Sequence, residues 1–182
     1  GQWVSAAEVE GESARLAARL SDLRCGRVIL STRRADRVIV GLLACRRAGC
    51  DLVLQRGVAP LADLARAVGA DAVMESSLEP VACGHEPVAG GGTGQVILLT
   101  SGTTGVPKAA AHDLDRLVGL IPIERPDTPP RWLLTFDPAS FAGLQVILTA
   151  LVGQAPLAAS SAPDMASLAR LALAFGPTAI SG

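Results

Sequence analysis

Apolar positions along this chain fall on two periods. From Ser5 the spacing is helical: Leu16, Leu20 and Leu23 recur on one side, behind a Ser5/Glu8 pair three residues apart and a Val4/Val9 pair. A Ser followed three residues later by Glu predicts a capping box at a helix start, and apolar residues flanking it have the spacing of a hydrophobic staple. Short continuous apolar runs then predict buried strands at Val28–Leu30, Leu52–Leu54, Ala72–Met74 and Val96–Leu99. A helix over Arg37–Ala48 separates the first two.

One junction recurs. Arg46-Arg47-Ala48-Gly49 leads into Leu52-Val53-Leu54, and Arg66-Ala67-Val68-Gly69 into Ala72-Val73-Met74. Further on, Leu151-Val152-Gly153 leads into Pro156-Leu157-Ala158, and Ala174-Phe175-Gly176 into Thr178-Ala179-Ile180. Glycine after a helix accepts the left-handed conformation that turns the chain back. Helices alternating with short strands predict an α/β fold with a largely parallel sheet flanked by helices. Three stretches break the rhythm. Thr32–Asp36 reads as a turn, Ser76–Thr93 as a flexible surface connection, and Ile121–Pro130, with its four prolines, as another loop. Gly90-Gly91-Gly92 precedes a strand, so it fails the context required of a dinucleotide-binding loop.

Composition narrows the class. The 182 residues allow one domain of ordinary size with a real core. A net charge of −1 gives no electrostatic footprint for nucleic acid or an anionic membrane. Charge, Gly or Gln interrupts each apolar stretch before it could span a bilayer. No secretory signal is legible at Gly1-Gln2-Trp3, and Cys25, Cys45, Cys50 and Cys83 show no paired spacing, so four reduced thiols in a cytoplasmic protein are expected. With His85 and His112 they form no zinc pattern. Fifteen of the sixteen basic residues are arginine. The one lysine, Lys108, stands where a compact point charge has a use that a flat guanidinium does not.

That lysine closes the segment with the clearest chemistry. The Val96–Leu99 strand runs into Thr100-Ser101-Gly102-Thr103-Thr104-Gly105-Val106-Pro107-Lys108. Glycines let backbone N–H groups converge on an anion, hydroxyls add donors, and Lys108 brings charge for phosphate oxygens. The spacing is not that of a Walker loop. A plain polar turn between strand and helix is the alternative that composition alone leaves open.

The order of residues resembles the signature loop of the adenylate-forming superfamily (acyl-CoA synthetases, nonribosomal-peptide adenylation domains and luciferases). The match is complete from Thr100 through Lys108 and departs at Ala109, where the family usually has Gly. Looser similarity covers Ser5–Leu20, Val40–Leu54 and Arg131–Gly153. His112 resembles the His that opens the family's next helix, and is equally a polar residue near a helix start. In Thr135-Phe136-Asp137-Pro138-Ala139-Ser140-Phe141-Ala142-Gly143-Leu144, the resemblance implies an acyl-pocket wall at Ser140, Phe141 and Gly143. Asp137-Pro138 reads on its own as a helix N-terminus with Asp as cap.

The resemblance implies that Thr100, Ser101, Gly102, Thr103, Thr104, Gly105 and Lys108 hold the phosphates of ATP, bound with Mg2+. A carboxylic acid would be activated as its acyl-adenylate and passed to coenzyme A or a carrier phosphopantetheine. Residues 1–182 would be a partial N-terminal AMP-binding domain, without the family's C-terminal domain and its tyrosine- and lysine-bearing motifs. The implied partner is the rest of the enzyme or a complementary chain, with no nucleic acid and no membrane. A split or degenerate member acting as a nucleotide-binding or interaction subunit is the alternative.

Overall fold

A computed structural model describes residues 3–56, 60–84, 92–100, 108–122, 127–161 and 164–180. The chain opens with α1 (Ala6–Asp22), β1 (Arg27–Ser31), α2 (Ala35–Ala48), β2 (Asp51–Gln55), α3 (Leu61–Val68), β3 (Ala72–Met74) and β4 (Val81–Ala82). It continues through β5 (Gln95–Thr100), β6 (Lys108–Asp113), α4 (Leu114–Gly119), β7 (Trp132–Leu134), α5 (Phe141–Val152), β8 (Leu157–Ala159), α6 (Met165–Phe175) and β9 (Ala179–Ile180).

A six-stranded sheet has the order β4-β3-β1-β2-β5-β6. Its four inner strands run parallel, and β4 and β6 pair antiparallel at the two edges. Because side chains alternate along a strand, each inner strand feeds two cores. Val28, Leu30, Leu52, Leu54, Val96 and Leu98 join one cluster with Leu16 and Leu20 of α1, Val38 and Leu42 of α2, and Leu144 and Ile147 of α5. Ile29, Val53 and Ile97 face the other way, onto Leu64 and Ala65 of α3. A second, three-stranded parallel sheet has the order β8-β7-β9. Its Leu133 and Ala158 meet Phe175 of α6. Leu134 turns instead toward the main core, where it joins Leu144, Ile147 and Leu148 on the buried face of α5.

The local signals account for most helix ends. Ser5 caps α1 through a capping box closed by Glu8, with the Glu8 N–H donating to Ser5 Oγ at 3.2 Å and the Ser5 N–H to Glu8 Oε2 at 2.7 Å. Leu23 falls past the end of that helix and is exposed. Gly49, Gly69 and Gly176 are left-handed, as expected of glycine after a helix. The junction at Gly153 differs. Gly153 stays right-handed with φ −76°, and Gln154, with φ 51°, carries the turn into β8.

The stretch from Ser76 is less loose than its composition suggests. Leu78 is buried in the main core and Val81–Ala82 form an edge strand. At its far end a Cβ on Gly92 would lie 2.3 Å from the Gly26 carbonyl oxygen, so the chain passes there too close for any side chain.

Candidate phosphate-loop hairpin and adjoining cavity

The loop connects two strands, not a strand and a helix. β5 and β6 pair over six residues each, from Gln95 opposite Asp113 to Thr100 opposite Lys108. The two ends of the nine-residue segment, Thr100 and Lys108, are therefore neighbours in an antiparallel ladder. Ser101, Gly102, Thr103, Thr104 and Gly105 lie outside the described residues. Lys108 is exposed at the first position of β6. β5 is buried at Val96, Ile97 and Leu98, so the hairpin base is fixed in the core while its connection leaves from the sheet end where β2 also finishes.

This arrangement corrects the placement of His112. It lies within β6 opposite Val96, one residue before the cap of α4. The helix begins at Leu114 because the Asp113 carboxylate accepts the Arg116 N–H at 3.0 Å. The His112 ring stacks on Phe141, the first residue of α5, with centroids 5.2 Å apart.

The start of α5 is also displaced from the expected Asp137 cap. Asp137 accepts the Ala139 N–H at 2.9 Å, closing a turn upstream of the helix. Ser140 is the actual cap: its Oγ accepts the Gly143 N–H at 3.0 Å and donates to the Asp137 carbonyl at 2.7 Å. This turn presses the Asp137 carbonyl against the helix, and a Cβ on Gly143 would sit 2.1 Å from it. Only glycine fits. Gly143 thus has a packing role and does not line the adjoining cavity, whereas Ser140 and Phe141 do.

That cavity, of about 430 Å³, is lined by Arg56, Leu98, Leu99, Ala110, His112, Ala139, Ser140 and Phe141. Its volume lies in the range of small-molecule sites. Sequence reasoning named Ser140 and Phe141 but missed Arg56, Leu98, Ala110 and Ala139, which only strand pairing brings together. A smaller cavity of about 190 Å³ lies at the ends of β7 and β8, between Arg33, Asp137 and Asp164.

At the opposite end of the sheet a charged clamp fixes the entry to β5. The Asp51 carboxylate accepts N–H groups from Thr93 at 2.9 Å and Gln95 at 3.1 Å, and pairs with Arg27 at 3.0 Å. Burial works to raise the pKa of Asp51, but the Thr93 amide, the Arg27 guanidinium and the Gln95 amide outweigh it and hold it below the ordinary 3.8. Arg27 also donates to the Val68 carbonyl at 2.6 Å, and Asp71 accepts the N–H groups of Gly26 and Arg27.

Cys25, Cys45 and Cys50 are buried. Contact with Cys50 and burial push the Cys25 thiol up, so it is a packing group and not a thiolate nucleophile. Among the described residues no group of three or more His, Cys, Asp or Glu could hold a metal ion, and no helix is long and apolar enough to cross a membrane.

No family model and no curated protein matches the chain. Solved structures do. The Klebsiella oxytoca NpsA N-terminal subdomain in complex with 3-hydroxybenzoyl-AMSN matches with a TM-score of 0.76 at 20% identity, over 98% of this chain and 53% of that one. The o-succinylbenzoate CoA synthetase MenE from Bacillus subtilis, in complex with the acyl-adenylate intermediate OSB-AMP, matches with a TM-score of 0.73 at 16% identity, over 98% and 55%. The N-terminal domain of FACL13 from Mycobacterium tuberculosis matches with a TM-score of 0.69 at 17% identity, over 92% and 53%. The chain shares its fold with the N-terminal domains and subdomains of these proteins. At these identities the agreement is one of fold, and the chain spans about half the length of the structures it matches.

Proposed function

We propose that the chain is the N-terminal part of an enzyme that activates a carboxylic acid with ATP. The observation that carries the reading is the coincidence of two independent features. The nine residues Thr100–Lys108 resemble the adenylate-forming signature in order, and the strands they join belong to the same fold. Structures of MenE in complex with ATP and magnesium ion, and with an acyl-adenylate, support it by analogy of fold.

The loop's donors suit a triphosphate. Amides and hydroxyls of Ser101, Thr103 and Thr104, with Gly102 and Gly105 permitting close approach, meet phosphate oxygens, and Lys108 adds a compact charge. One lysine balances only part of the triphosphate charge, and Mg2+ bound with ATP supplies the rest. A carboxylate oxygen attacks the α-phosphorus and pyrophosphate leaves, giving the acyl-adenylate. A thiol of coenzyme A or of a carrier phosphopantetheine then takes the acyl group and AMP departs. The chain's share is to hold and orient the β- and γ-phosphates while charge develops on the leaving group. The remaining chemistry belongs to the rest of the enzyme or to a complementary chain.

Two measurements test this. Lys108→Ala is expected to weaken ATP binding by roughly ten-fold or more, the usual worth of a charge-assisted contact; unchanged affinity overturns the reading. The 182-residue chain alone is expected to form no acyl-adenylate from ATP and a panel of acids. Product from the isolated chain would show that no complementary part is needed.

A further inference from the structure

The cavity beside the hairpin has an uneven lining. Leu98, Leu99, Ala110, Ala139 and Phe141 are apolar, and among the described lining residues only Arg56, His112 and Ser140 have polar side chains. The Ser140 hydroxyl is committed in both directions, to the Asp137 carbonyl and the Gly143 N–H. The His112 ring lies on Phe141. Arg56 is the one permanent charge in the lining, and among the described residues it has no acidic partner. Arg27, Arg34, Arg37 and Arg46, by contrast, are each held by a carboxylate.

Strand register locates Arg56 relative to the loop. Leu54 of β2 stands opposite Leu98 of β5, and Arg56 follows two residues later, just past the end of β2. Extending that register by two residues brings Arg56 to the end of β5 at Thr100, which is opposite Lys108. With strands about 4.8 Å apart, Arg56 is one strand from Thr100 and two, or roughly 10 Å of backbone, from Lys108. His112 is four residues along β6 from Lys108, about 13 Å away at strand rise. The cavity thus has a cationic end beside the phosphate loop and an apolar, aromatic end at His112 and Phe141.

We infer that Arg56 anchors the carboxylate head of the substrate acid beside the loop, with an apolar acyl body lying along Leu98, Ala110 and Phe141. This rests on the carboxylate-activation reading and adds to it the substrate class and its direction in the site. A planar guanidinium matches a carboxylate with two parallel N–H donors, which a flexible ammonium does not. With no second permanent cation among the described lining residues, the class is an acid with one charged end and an uncharged body.

The test compares acids with their neutral amides. Hexanoate against hexanamide, and benzoate against benzamide, are titrated into the chain by ligand-observed NMR, with wild type, Arg56→Gln, Arg56→Lys and Lys108→Ala. The wild type is expected to bind each acid at least ten-fold more tightly than its amide. Arg56→Gln is expected to abolish that preference with amide binding retained, and Arg56→Lys to keep part of it. Because Arg56 is exposed, an unchanged circular dichroism spectrum is expected for each variant. Two results overturn the assignment: no preference in the wild type, or a preference that survives Arg56→Gln. ATP titration of Lys108→Ala is read separately. If ATP fails to bind the wild type, or binds Lys108→Ala as tightly as the wild type, the activation reading falls, whereas Lys108-dependent ATP binding without an Arg56-dependent preference sinks only the inference.

Discussion

Asp51 and Gly143 show how single residues set the position of the site. Asp51 gathers Arg27, Thr93 and Gln95 at the start of β5, so the strand that ends at the loop begins at a fixed point. Its pKa is lower folded than unfolded, so its stabilisation is fully present above the ordinary value of 3.8 and is lost as pH falls through the folded pKa. Asp51→Asn is expected to reduce stability at neutral pH by about 1–3 kcal/mol, since a neutral amide cannot satisfy Arg27 and two amides together. The variant should also show a flatter loss of stability below about pH 4 in denaturant titrations. A difference between wild type and variant that stays constant with pH would contradict this account. Gly143→Ala forces a methyl group 2.1 Å from a carbonyl oxygen. It should lower the midpoint of thermal unfolding by an amount matching about 1–3 kcal/mol. The Asp51 contacts are not legible in the sequence, because Asp51 and Thr93 are brought together by the parallel pairing of β2 and β5.

At the level of elements, legibility follows how local the signal is. Ser5 and Glu8 specify the start of α1 with groups three residues apart, and glycines 49, 69 and 176 mark helix ends with a conformation other residues avoid. β6 carries no such mark. Lys-Ala-Ala-Ala-His-Asp contains no β-branched or large apolar residue, and alanine favours helix when nothing else decides. What makes it a strand is the ladder offered by β5, a partner lying earlier in the chain. The same reasoning explains the cap of α5: Asp137 and Ser140 are both good caps in isolation, and the tight Asp137 turn hands the role to Ser140. Ser140→Ala should therefore cost about 1 kcal/mol of stability, measured by chemical denaturation. It should leave the acid-over-amide preference unchanged, since the hydroxyl is already occupied. Loss of that preference at unchanged stability would return Ser140 to the list of ligand-contacting groups.

Over the whole molecule, the two sheets divide the work. The larger carries the hairpin and the cavity at the ends of β2 and β5, and the smaller is joined to it through α5, whose Leu144 and Ile147 belong to the main core. The architecture was readable from alternating helices and strands, and the loop from the order of its residues. The cavity was not, because its lining comes from β5, β6, α5 and the residue after β2, segments far apart in sequence. Within this frame the central claim is that residues 100–108 form a triphosphate-binding loop. Hydrogen–deuterium exchange over that segment tests it most directly, with millimolar ATP and magnesium, with adenosine in place of ATP, and with the Lys108→Ala variant. The account predicts slowed exchange across the loop with ATP, none of that protection with adenosine, and its loss in the variant. Exchange that is the same with and without ATP would contradict it.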